Sequence, residues 1–310
     1  MDARPAQKDI FRSRLMLLAA ILTFGTVGLF VRGIGLPSGE IALFRAVIAL
    51  VVLTLIMALT GRFALLWRQR ARLWPYLLSG AVMAFNWILL FESYRYTSIA
   101  LATLAYYTAP TLMILAGVLL LKEKLTAWQL LFFLASTLGL VLMLGATGGQ
   151  PGDWKGVLLG LASAVLYAAV ITINRAAGGM DGIVRTYVQF LAAIAVMLPF
   201  TALRGGFHLH LLDTNGWVYL LILGLVHTGI CYSLFFMAIA HLRGQQVAIM
   251  SYLDPLVAVL LSVWLLGEQV SALQLLGGGL MLLAALLNEL LPGSWRSGRK
   301  PAGEKSGAAD

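Results

Sequence analysis

Charge is the scarcest resource in this chain of 310 residues. Asp, Glu, Lys and Arg together make up 11% of it, against about a quarter in a soluble globular domain. A chain with so little charge and 60% hydrophobic residues cannot cover a water-facing surface, which excludes an ordinary soluble domain. Cysteine is nearly absent as well. Cys231 is the single example; lying inside an apolar stretch, it offers neither a disulfide framework nor a cysteine metal site. No GxSxG, HExxH, GxxxxGK[ST] or CxxC occurs, so hydrolase, metalloprotease, ATPase and thiol-redox chemistry have no motif to stand on, and no cofactor or metal is expected. Long polar segments are missing too. The longest are 60–72, 146–153 and 204–215, too short for an extramembrane domain to fold.

What remains is apolar sequence in membrane-length pieces. Runs bounded by charges, Gly or Pro fall at 14–33, 39–59, 73–95, 98–121, 126–145, 154–174, 183–203, 216–238, 244–266 and 271–291. Each is close to the roughly 20 residues that a transmembrane helix needs. The expected fold is therefore an all-α polytopic membrane protein with ten transmembrane helices. The first run follows Lys8, Arg12 and Arg14 as a signal peptide would, but it continues to Val31 without a small-residue cleavage site and reads as a retained helix.

The net charge of +9 would suggest nucleic acid in a soluble protein. Here the basic residues sort by loop instead. With the N-terminus inside, the tails and even-numbered loops carry seventeen Lys and Arg, and the opposite side carries only Arg32, Arg95, Lys155 and Arg204. That bias predicts both termini in the cytoplasm and no nucleic-acid partner.

The chain also repeats itself. YTAPTLMILAGVLLLKEKLTAWQLL, from Tyr107 to Leu131, returns as YLDPLVAVLLSVWLLGEQVSALQLL from Tyr252 to Leu276, with 11 of 25 positions identical. NWILLFE from Asn86 lies over CYSLFFM from Cys231 at the same offset of 145, and FVRG around Arg32 is echoed by INRA around Arg175. Five helices per copy is an odd number, so the second copy must lie upside down. The loop Lys122-Glu123-Lys124 keeps two lysines on the cytoplasmic side, and its copy Gly267-Glu268-Gln269 has lost them on the outside. The expected organisation is a cytoplasmic tail (1–13), a five-helix repeat (14–145), a linker (146–153), an inverted five-helix repeat (154–291) and a disordered cytoplasmic tail (292–310). Secondary transporters are built this way, with solute held near mid-membrane at the repeat interface.

Several residues fall at that depth. Pro110 and Pro255 lie a dozen residues into their runs, where proline removes a backbone hydrogen bond and kinks a helix. Asp254 precedes Pro255, and its counterpart is the uncharged Ala109. A mid-membrane carboxyl is costly unless it lines a cavity or finds a partner, which makes Asp254 the first candidate for proton coupling and His227 the second. Trp87, Tyr106, Tyr107, Tyr167, Tyr232 and Tyr252 can wall a cavity that stacks on an amphipathic solute, with Asn86 as an uncharged polar contact. Arg45 and Glu92 lie towards the outer ends of their runs. Either Glu92 pairs with Arg95 at i,i+3 spacing, or it meets Arg45 across helices, in a pair that fixes the fold or gates the outer mouth. Small residues every fourth position (Gly152, Gly156, Gly160, Ala164, Ala168) form a packing ridge.

With FGTVGLFVR, LFRAVIAL, YTSIALATLAYYTAPTLMILAGVLLLKEKLT and LRGQQVAIMSYLDPLVAVLLSVWLLGEQVS, the chain resembles the ten-helix EamA-type branch of the drug/metabolite transporter superfamily over residues 14–291. The resemblance implies an inverted-repeat bundle that exports small metabolites, amino acids or amphipathic compounds. It also implies that the third, fourth, eighth and ninth helices, with the first and sixth, wall the cavity. The reading is thus a secondary transporter of the cell membrane working by alternating access, as monomer or homodimer. Its partners are a small-molecule solute, the lipid bilayer and, where coupled, protons. The competing reading is an intramembrane enzyme acting on lipid-linked substrates.

Overall fold

The computed structural model describes residues 7–109, 111–113, 126–145, 153–239, 242, 247 and 250–290. Pro110 and the Lys122-Glu123-Lys124 loop lie outside the described residues. Among those residues every regular element is helical.

The first apolar run holds α1 (Gln7–Phe24) and α2 (Val27–Arg32), the second α3 (Ser38–Leu59), with the short α4 (Arg62–Arg68) behind it. Then come α5 (Trp74–Tyr96), α6 (Ile99–Tyr106), α7 (Ala127–Gly145), α8 (Asp153–Ala177) and α9 (Gly182–Leu203). The eighth run is α10 (Thr214–Ile222), a π-helical stretch (Leu223–Ile230) and α11 (Cys231–Ile239); α12 (Leu253–Leu266) and α13 (Ala272–Leu290) follow. Six stretches are long and apolar enough to cross a membrane: Ile10–Arg32, Ser38–Leu59, Trp74–Tyr96, Trp154–Asn174, Gly182–Leu203 and Thr214–Phe235. Leu130–Leu142, Leu253–Leu266 and Ala272–Leu287 are shorter apolar helices. Helix is the secondary structure such sequences adopt because hydrocarbon offers the backbone no other hydrogen-bond partner.

Burial is inverted relative to a soluble protein. Ser79, Asn86, Ser163, Gln189 and His227 are buried, while Leu59, Leu203 and Trp264 are 78%, 88% and 80% exposed. Water would penalise such a surface; lipid does not. The inward polar groups bond to one another between helices. Asn86 Nδ2 donates to the Ser163 carbonyl at 2.7 Å, and Ser163 Oγ donates back to the Asn86 carbonyl at 2.9 Å, clasping α5 to α8. Gln189 Nε2 donates to Ser79 Oγ at 2.8 Å and to Asn174 Oδ1 at 3.1 Å.

Packing follows the small residues. α5 lies on α8 and α9, α3 on α9 and the π-helical stretch, α1 on α11 and α12, α6 on α8 and α12, and α7 on α13. A methyl group at Gly156 would sit 2.5 Å from Thr97 Cγ2, and one at Gly160 would sit 3.0 Å from the Ala102 carbonyl oxygen. With Ala164 and Ala168 buried on the same helix, the predicted ridge does bring α8 against its neighbours. Gly25, between α1 and α2, plays the same part for α12: a Cβ there would lie 2.6 Å from Val257 Cβ and 2.9 Å from the Asp254 carbonyl oxygen.

Segment ends assigned by charge to one side meet one another. At one end Glu40 accepts from the His208 backbone at 2.7 Å, and Arg32 pairs with Glu268. At the other, Arg62 pairs with Asp181 at 3.4 Å, and the Tyr76 hydroxyl donates to the Gly178 carbonyl at 2.8 Å.

Candidate functional site

Two helix breaks bring the site together. α6 ends at Tyr106, with Tyr107 in the turn that follows; α12 begins at Leu253, with Tyr252 in the turn before it. Both breaks fall on the repeated tyrosine of the two related blocks. Pro255 sits in the first turn of α12, just past the Tyr252 turn that follows helical Met250 and Ser251, so the proline lies at a break between helical stretches. Asp254 shares that first turn, where the helix dipole favours a negative charge. The Tyr107 hydroxyl donates to Asp254 Oδ2 at 2.5 Å and lies 3.4 Å from the Ser251 carbonyl. One bond thus ties the break in the first half to the break in the second.

Aromatic rings form two strings, one of which starts at this bond. Tyr107 meets Tyr106 at 5.9 Å between centroids, and Tyr106 meets Tyr167 at 5.4 Å. On the other side Tyr232 packs on Phe24 at 5.4 Å and on Phe190 at 5.8 Å, and Phe190 on Trp87 at 5.1 Å. The Trp87 string ends at Arg45, whose Cζ lies 4.2 Å from the Trp87 centroid and 4.7 Å from the Phe91 centroid. Tyr94 and Tyr232 lie within electrostatic reach of both Arg45 and Asp254. The tyrosines and Trp87 thus form one aromatic centre with a cation at one edge and a carboxyl at the other.

Three candidate residues do other jobs. Asn86 is 1% exposed and spends its amide on Ser163, so it clasps helices rather than facing the tyrosines. Glu92 meets neither Arg45 nor Arg95: it accepts from Ser38 Oγ at 2.6 Å, and no ion pair joins it to either arginine among the described residues. The helical repeat carries its carboxylate to the start of α3, away from Arg45 two turns along. His227 is buried in the π-helical stretch, its Nε2 2.7 Å from Thr26 Oγ1, its Nδ1 3.3 Å from the Ile222 carbonyl and its ring centroid 4.7 Å from Phe30. It joins that stretch to the break between α1 and α2. Tyr252 is buried two residues from Asp254.

Sequence reasoning missed the ion pair of Arg32 and Glu268. The Arg32 guanidinium also donates to the Thr97 carbonyl at 2.7 Å and the Tyr94 carbonyl at 3.3 Å. Glu268, placed by the left-handed Gly267 that ends α12, accepts from the Ile99 and Ala100 amides at 3.1 and 3.5 Å. The pair binds α2, the α5–α6 turn and the end of α12 together. Its signal was present, since both residues belong to the repeated phrases. Next to it lies a cavity of about 310 Å³ whose lining includes Arg32, Ser38, Phe91, Tyr94 and Arg95.

Several proteins similar to this chain are named as transporters. The family model described as the EamA-like transporter family matches residues 12–145 and again 154–290. The uncharacterized transporter YxxF of Bacillus subtilis is 27% identical over 280 residues, covering 89% of each chain. An uncharacterized transporter of Archaeoglobus fulgidus is 27% identical over 275 residues, covering 88% of this chain and 94% of its own. A protein crystal structure superposes with a TM-score of 0.61 at 21% identity, covering 90% of this chain and 96% of the other, a likeness of fold alone. With apolar helices throughout and a family match over nearly its whole length, the chain belongs to the EamA-like transporter family and is a multi-pass membrane protein.

Proposed function

We propose that the protein is a secondary transporter of the cell membrane that exports amino acids or related small metabolites by alternating access. Ten transmembrane helices form two inverted five-helix repeats, 14–145 and 154–291, with both termini cytoplasmic. The observation that carries this reading is the bond between Tyr107 and Asp254. It joins the broken helices of the two halves, at repeated positions, inside an aromatic centre. A solute held there touches both repeats and can be released to either side as they rock.

The packing pattern supports the inverted repeat. Advancing each apolar run by five exchanges partners for partners: the third run packs on the sixth as the eighth packs on the first, and the third on the seventh as the eighth packs on the second. The fourth run packs on the sixth as the ninth packs on the first, and the pairs second with seventh, fourth with ninth and fifth with tenth map onto themselves. A two-fold axis generates such a pattern. The double match of one family model supports the same division. In this reading the outer mouth is closed by Arg32 and Glu268, the role that Arg45 and Glu92 were expected to fill.

Two measurements test the reading. A reporter inserted at Lys122–Lys124 reads cytoplasmic and one at Gly267–Gln269 reads external; the same side for both overturns the inverted repeat. Purified protein in liposomes exchanges labelled amino acids across the bilayer; absence of flux for every amino acid overturns the solute class.

A further inference from the structure

Arg45 is the one charge at the aromatic centre that the structure leaves without an opposite. It is 5% exposed, and its Nε is buried without a hydrogen-bond partner. No carboxylate lies within 4 Å of it among the described residues. Trp87 and Phe91, one turn apart on α5, present their rings to its guanidinium. Ring contacts attract the charge but supply no lone pair to the five N–H groups, whose fork matches a carboxylate. Glu92, the nearest acid in sequence to that wall, is turned to Ser38. A buried guanidinium N–H without an acceptor, as at Arg45 Nε, is costly inside a membrane protein, and such a group characteristically lines a pathway or a ligand site.

Its surroundings suit a ligand of a particular kind. The cavity at the same end of the helices shares Phe91 with the Arg45 wall and has Arg32 and Arg95, though not Arg45, in its lining; Arg95 is in no ion pair among the described residues. Glu268 is already engaged by Arg32. The wall beyond Arg45 is aromatic through Trp87, Phe190 and Tyr232, which suits an apolar body more than a second charge.

We infer that Arg45 is the anion-recognising residue of the solute site, and that the solutes carried bear a carboxylate, held by its guanidinium, with their apolar part against Trp87. This rests on the transporter reading above and narrows its substrate class. It makes Arg45 a binding residue rather than a partner of Glu92, and it makes neutral or purely cationic analogues poor substrates.

The test compares acids with their amides. Ten L-amino acids of small, branched and aromatic side chain, and the amide of each, are assayed on the full-length wild type, Arg45→Lys and Arg45→Gln. Flux is read in liposomes against protein-free controls, and stabilisation is read as the shift in thermal unfolding of detergent-purified protein. In the wild type at least one acid is favoured over its amide by roughly 10- to 100-fold, the loss expected when a hydrogen bond to a charged group goes unmade. Arg45→Gln brings the acid down to its amide, and Arg45→Lys keeps the direction of preference at reduced size. Equal handling of acids and amides by the wild type overturns the proposal and leaves the transporter reading standing. A full acid preference in well-folded Arg45→Gln does the same; if that variant does not fold, an undiminished preference in Arg45→Lys does so. Stabilisation by acids alone, with no flux, supports Arg45 and removes transport. Neither stabilisation nor flux from any compound removes both.

Discussion

Two arginines of the first repeat, Arg32 and Arg45, show how differently the ends and the centre of this protein treat charge. Arg32, at a helix end, has Glu268 and two backbone carbonyls for its guanidinium, and its side chain keeps 35% of its exposure. Arg45, buried two turns along α3, has only two aromatic rings. At the ends, charges are plentiful and satisfy one another, so they can serve as latches that open at modest cost. In the centre Asp254 has the Tyr107 hydroxyl, while Arg45 is in no ion pair among the described residues. The lesson is that an arginine at a helix end finds partners to hold it, whereas one at depth keeps unspent hydrogen-bonding capacity.

Predictions that probe this contrast run from the centre outwards. The largest effect is expected at Asp254. Asp254→Asn abolishes accumulation of solute driven by an imposed pH gradient in liposomes, while exchange without a gradient continues. Accumulation surviving in the variant makes Asp254 a structural partner of Tyr107, leaving His227 to be tested next. In the proposed transporter, Glu268→Gln removes the ion pair at the outer mouth but leaves Arg32 its two carbonyls. A partly exposed pair supplies about 1 kcal/mol, so outward opening rises about fivefold. An impermeant maleimide reads this at Ser38→Cys in a Cys231→Ser background; an unchanged labelling rate shows that the pair does not hold the mouth.

Smaller effects separate packing from recognition. Asn86→Ala leaves the Ser163 carbonyl and hydroxyl short of a partner in the interior, which lowers stability by about 1–3 kcal/mol and leaves solute selectivity unchanged. A shift in selectivity at wild-type stability would return Asn86 to the solute site. The smallest change is at Glu92. Glu92→Gln keeps an acceptor for Ser38, and thermal unfolding moves by less than about 0.5 kcal/mol. A loss as large as that of Asn86→Ala would indicate that Glu92 does neutralise Arg45.

Legibility in the sequence varied with the range of the interaction. The helical class was readable because hydrophobic runs of membrane length admit hardly any other backbone solution. The packing ridge on α8 was readable because small residues every fourth position need only a local periodicity. The tyrosines at 106, 107, 167 and 232 were grouped through depth alone; the first three meet ring to ring, whereas Tyr232 packs on Phe24 and Phe190. Pairings were not. Glu92 could reach Arg45 or Arg95 by spacing, and the structure gives it to Ser38. Asn86 had the depth of a solute contact but faces Ser163, 77 residues away. Spacing within one helix sets which face a side chain takes; it does not say which helix lies across from that face.

By itself, the sequence determined that this is an apolar, helical chain with a long block that it says twice. Those are properties of runs, periods and counts, and lipid enforces them segment by segment. Only the tertiary structure decided which charges are satisfied: that Glu268 goes to Arg32, that Asp254 receives Tyr107, and that Arg45 is left with rings. Each of these depends on helices separated by tens to hundreds of residues, whose approach is set by where glycines such as Gly25 and Gly160 permit contact. The solute chemistry lies in that remainder, because a binding site in a membrane protein is made of the polar groups that packing leaves incomplete.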